Sequence, residues 1–103
     1  MGASLRKLTI ICPREIEAPM SDALDAIDPP LPGYTVLEAH GRGPTMKPAT
    51  ASERVRGALR MSLFIIILPA ETAAEVLGAV RAACPRPQIS YWIEPVEDFG
   101  RLL

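Results

Sequence analysis

The residues best equipped for chemistry crowd into the middle of the chain, between His40 and Arg60, in the run HGRGPTMKPATASERVRGALR. Arg42, Lys47, Arg54, Arg56 and Arg60 stand there against Glu53 alone, within a chain of net charge -1. Guanidinium groups stay charged and present a planar fork of donors, so Arg42, Arg54, Arg56 and Arg60 suit a phosphate or a carboxylate. Gly41 and Gly43 flank Arg42 and let the backbone turn tightly and approach a ligand closely. The same charges would serve equally against a protein partner, or as the solvated surface of a loop. His40 is the only histidine. It could hold a metal, gate the loop by pH, or play a plain structural part. No HxxxH or CxxC spacing accompanies it. A metal site would therefore need His40 from several copies, or His40 joined to Cys12 or Glu38 of a neighbour.

Other chemistry is thin. The chain has no nucleophile elbow, no P-loop and no metalloprotease helix, so it does not read as an enzyme. The stretch ICPRE, after the first strand, has no glycine with which to cradle phosphate. Cys12 and Cys84, the only cysteines, read as buried, small and reduced. A sequence pI of 5.8 argues against general nucleic-acid binding, and the strands lack the paired stacking aromatics of RNA-recognition sheets. No apolar run is long enough to span a membrane. The opening MGASLRKL lacks the apolar region of a signal peptide, which points to a cytoplasmic protein.

The elements that must position these residues follow from periodicity. With 103 residues the chain is one domain with a modest core, and any uncovered face needs a partner. Leu5 to Cys12 alternates as a strand. Ile16, Met20, Ala23, Leu24 and Ile27 form one apolar helical stripe, predicting a helix that runs to Asp28 and, because of Pro19, either has an irregular first turn or starts near Ala18. Tyr34 to His40 reads as a second strand. Thr50 and Glu53 match a capping box, predicting a short helix from about Ala51 to Leu59 with Arg56 and Arg60 on one face. Met61 to Pro69 is apolar on both faces, so both should be buried. Ala73, Val76, Leu77, Val80 and Ala83 predict a helix over Glu71 to Ala83. Gln88 to Glu94 reads as the last strand, ended by Pro95.

The predicted fold is α+β, a ferredoxin-like βαββαβ arrangement. Two helices cover one face of a four-stranded antiparallel sheet, with a long loop between strands two and three. Loops in compact domains are commonly about 4–6 residues, and much longer ones are usually functional or disordered. The other face of the sheet would be a sticky patch unless copies pack on it.

The Ile-Cys-Pro of strand one, His40-Gly41-Arg42-Gly43 at the loop root, and Tyr91-Trp92 followed by Pro95-Val96 carry a family likeness. With the element order, they resemble the trimeric PII-like superfamily, which includes nitrogen-regulatory PII proteins and CutA, and within it a poorly characterised bacterial branch. The resemblance runs nearly end to end and implies a single PII-like domain over residues 1–103. It implies a homotrimer with sheets facing inward and ligand clefts between subunits. There the loop root and the turn before the last strand would hold a small anionic ligand, such as an adenine nucleotide. Gly41, Arg42 and Gly43 fit the loop root. The turn, Cys84-Pro85-Arg86-Pro87, lacks the family's glycines and lysine, and leaves Arg86 as a phosphate partner. The loop also lacks the tyrosine that some PII proteins modify. The resemblance implies a regulatory protein in which ligand orders the loop, and the loop then binds or releases a partner such as a membrane transporter. The alternative is a CutA-like protein binding divalent metal through His40.

Overall fold

The computed structural model describes residues 4–43 and 59–103. Strand β1 (Leu5–Pro13) runs into a 3-10 turn (Arg14–Ile16) and helix α1 (Glu17–Asp25). Strand β2 (Thr35–Gly41), strand β3 (Leu59–Pro69), helix α2 (Ala70–Ala83) and strand β4 (Ser90–Val96) follow. The strands form one sheet in the order β2-β3-β1-β4, and each neighbouring pair is antiparallel. This is the ferredoxin-like α+β fold expected from the element order.

One face of the sheet and both helices make the core. Leu8, Ile10 and Cys12 of β1 and Phe64, Ile66 and Leu68 of β3 pack with Ile16, Met20 and Leu24 and with Ala73, Val76 and Val80. These are the alternate strand positions and the helical stripes that the periodicity marks. Ala83, expected in the stripe of α2, is exposed, and the buried Cys84 ends that stripe instead. Helix α1 is shorter than predicted at its C-terminal end and begins at Glu17. Pro19 falls in its first turn, where a missing amide hydrogen leaves no helical bond unmade.

The strand ends also shift. Tyr34 lies outside β2, and it packs on Phe64 with ring centroids 5.8 Å apart. Its hydroxyl donates to Asp25 Oδ1 at 2.7 Å. Gly33 has φ +140°, a conformation open chiefly to glycine, as the chain enters β2. β4 starts two residues later than predicted and continues through Pro95 to Val96. Pro95 sits opposite Arg6 in the ladder. A proline is tolerated there because β4 is an edge strand.

β3 begins earlier than expected. Leu59 and Arg60 are strand, paired with Gly41 and His40. The predicted helix from Ala51 therefore does not reach Leu59. Its remainder, with the capping box at Thr50 and Glu53, lies outside the described residues.

Candidate functional site

The β2–β3 ladder carries the loop root. His40 lies opposite Arg60, and Gly41 opposite Leu59, with Arg42 and Gly43 exposed just beyond the last pair. The pairing thus brings Gly41, Arg42, Gly43, Arg60 and His40 together at one end of the sheet. Alternation puts Glu38, His40, Arg60 and Ser62 on the same sheet face. The expectation that Arg56 and Arg60 share a helical face fails at Arg60, because ladder pairing outweighs a short helical pattern there. Arg54 and Arg56 lie outside the described residues. Arg86 is not part of this group within one chain. It sits in the turn before β4, at the opposite edge of the sheet from β2.

Behind the root lies a set of contacts that sequence reasoning missed. The Arg14 guanidinium donates through Nε to Ser62 Oγ at 2.8 Å, through Nη1 to Glu38 Oε1 at 2.7 Å, and through Nη2 to the Met61 carbonyl at 2.9 Å. Ser62 Oγ in turn donates to Glu17 Oε1 at 2.6 Å. One side chain therefore ties the turn after β1, the first residue of α1, β3 and β2 together. Arg14 faces two carboxylates, with Glu17 at 3.7 Å as well as Glu38, so its charge is already compensated. It holds the root rather than offering itself to an anion. The Glu38 carboxylate is largely solvated, and that arm is the weaker one. A signal for this was present. Ser62 is a lone hydroxyl at a core position in the otherwise apolar run from Met61 to Pro69, and such a group needs a partner.

The turn before β4 settles how an anion could be held there. The Cys84 amide donates to the Val80 carbonyl at 2.8 Å, Arg86 to Cys84 at 2.8 Å, and Ile89 to Arg86 at 3.3 Å. Pro85 and Pro87 have no amide hydrogen, so across residues 84–89 Gln88 alone remains. A backbone cradle for phosphate cannot form from one donor. Whatever Arg86 contributes comes from its side chain.

Both cysteines are free and buried, as expected. Burial pushes the Cys12 thiol up to about 11, with Cys84 and Glu17 adding to the rise and Arg14 opposing it. Among the described residues, no three His, Cys, Asp or Glu side chains converge to hold a metal. No helix among them is long and apolar enough to cross a membrane.

A family known as DUF3240, described as a protein of unknown function, matches residues 3–103. The chain belongs to DUF3240. No curated protein matches it. A solved DUF3240 family protein from Shewanella baltica OS155 is 22% identical, with a TM-score of 0.78 and 99% and 100% of the two chains covered. CPII, a nitrogen regulatory PII-like protein from Thiomonas intermedia K12 solved with ADP, AMP and bicarbonate, is 20% identical, with a TM-score of 0.69 and 96% of each chain covered. Arabidopsis thaliana PII, solved with citrate, is 16% identical, with a TM-score of 0.74, covering 97% of this chain and 84% of that one. This DUF3240 chain thus has the fold of the PII-like superfamily, as the sequence resemblance implied.

Proposed function

We propose that this DUF3240 chain is a PII-like signalling protein that reads a small anion at the root of the segment between β2 and β3. The observation that supports it is the ladder running out to Gly41 and Leu59, which leaves Arg42 and Arg60 flanking that segment at the end of the sheet. Gly41 and Gly43 allow a ligand close to the backbone, and the two guanidinium groups supply the charge. Arg54 and Arg56 belong to the same site by sequence. Arg86, at the opposite edge of the sheet from β2, would come from a neighbouring copy and complete the site across a cleft between subunits.

The working assembly is a homotrimer with the uncovered sheet faces turned inward. The protein performs no catalysis. Occupancy of the cleft alters how segment 44–58 meets a partner, such as a membrane transporter, because a ligand that binds one arrangement more tightly shifts the population toward it. ADP, AMP, bicarbonate and citrate are the ligands to try, since two proteins of this fold were solved with them.

A thermal-shift series with each of these ligands, on wild type and on Arg42→Gln and Arg60→Gln, tests the reading. A saturable rise in Tm for at least one anion, reduced in both variants, is expected. No rise with any of the four, or a rise unchanged in both variants, removes the root as the site.

A further inference from the structure

At the other edge of the sheet the helical layer stops short. Helix α2 packs on β1 and β3, while Tyr91 and Ile93 of β4 remain exposed. Between the last turn of α2, the turn 84–89 and β4 lies a cavity of about 300 Å³. Ile10, Leu77, Val80 and Ile89 give it an apolar lining. Arg81 and Arg86 also line it, and both are solvent-exposed. Among the described residues neither guanidinium forms an ion pair. A half-open, largely apolar cavity of this size, with two arginines in its lining, is at the small end of ligand sites, which run to about 300–1,000 Å³.

We propose that this cavity binds an organic monoanion consisting of a compact apolar body and one carboxylate. The body displaces water from the apolar lining, and the carboxylate meets the two guanidinium forks. Phosphate fits poorly, because Gln88 alone keeps a spare amide in a turn whose other amides are consumed by its own hydrogen bonds or replaced by proline. Arg81, in the last turn of α2, also complements the carbonyl end of that helix. That role accounts for Arg81 alone, and not for Arg86 beside the same apolar lining. The site shares Arg86 with the inter-subunit cleft proposed above and otherwise stands apart from the loop root. It is built on β1, β4 and α2, and needs no residue of β2 or of segment 44–58.

Titration calorimetry of the full chain with phenylacetate, its neutral isostere phenylacetamide, and inorganic phosphate tests the proposal. Phenylacetate is expected to bind, with phenylacetamide and phosphate weaker by about tenfold or more, the effect of losing a charge-assisted hydrogen bond. R81Q and R86Q should each weaken phenylacetate, and the double variant should bind it no better than phenylacetamide. Both arginines are exposed, so circular dichroism should be unchanged. A second readout needs no variant. Cys84 lines the cavity, and phenylacetate should slow its alkylation by iodoacetamide, followed by mass spectrometry. The proposal is overturned by any of three results: no binding of phenylacetate, equal binding of the neutral amide, or a folded double variant with wild-type affinity. Alkylation of Cys84 that phenylacetate leaves untouched would equally place the ligand elsewhere.

Discussion

β3 carries two apolar stripes of nearly equal greasiness, and the fold treats them differently. Phe64, Ile66 and Leu68 are buried completely beneath the helices, whereas Leu63, Ile65 and Ile67, one step along the strand, are only half-buried. The second stripe continues across the sheet into Leu37, 46% exposed, and Trp92, 43% exposed. In its middle Thr9 keeps a buried hydroxyl with no hydrogen-bond partner among the described residues. Buried polar atoms without partners are uncommon. The contrast teaches that strand composition states a demand for cover without saying who meets it. The chain's own helices satisfy one face, and among the described residues the other stays half open, with Phe99 of the C-terminal tail lining a cavity beside Ile65 and Ile67.

The largest effect that bears on this contrast is a core truncation. Phe64→Ala is expected to destabilise the chain by about 3–5 kcal/mol in denaturant melts, the cost of a large ring removed from a filled core. Ile65→Ala, the adjacent residue on the other face, should cost less than half as much at protein concentrations low enough to prevent association. Equal losses would mean that the two faces are equally covered within one chain. A smaller effect is expected behind the loop root. Arg14→Ala removes the donors to the buried Ser62 hydroxyl and the Met61 carbonyl and the cation beside Glu17, and should cost about 2–3 kcal/mol, typical of hydrogen bonds to charged groups. Glu38→Gln, which touches only the solvated arm, should cost under about 1 kcal/mol. If Glu38→Gln matched Arg14→Ala, the solvated ion pair rather than the buried Ser62 contact would be what holds the root.

How much of this was legible depends on which interactions set each element. The core was legible, because Leu8, Ile10, Phe64, Ile66, Val76 and Val80 lie at the alternating or helical spacings that put them on one face. The start of β3 was not. Leu59 and Arg60 follow a good helix-capping pattern, and only their partners Gly41 and His40, nearly twenty residues away, make them strand. Pro95 was misread for a related reason. A proline ends a central strand, and nothing local reveals that β4 is an edge. The basic cluster was visible as composition, but its division was not: Arg60 and Arg42 share one end of the sheet, while Arg86 belongs to the opposite edge. The Arg14 bracket joins residues up to 48 positions apart, so only the odd hydroxyl of Ser62 hinted at it.

The gentlest perturbation of a single chain is the sharpest test of the uncovered face. Ile65→Lys places a charge among Thr9, Leu63 and Ile67, on a surface already half open to water. Within one chain the long lysine stem lies along that surface and carries its ammonium to solvent, so the monomer should change by no more than about 1 kcal/mol. If copies pack through this face, each trimer would instead bury three ammonium groups without partners, which apolar packing cannot tolerate. Sedimentation equilibrium at micromolar concentration should then find a trimer for wild type and a monomer for the variant. The wild-type Tm should also rise with protein concentration, since assembly stabilises by mass action, while that of the variant should not. A wild type that sediments as a single chain would leave Leu37, Ile65 and Trp92 facing water by themselves, and would remove the inter-subunit cleft in which Arg86 is proposed to meet Arg42 and Arg60.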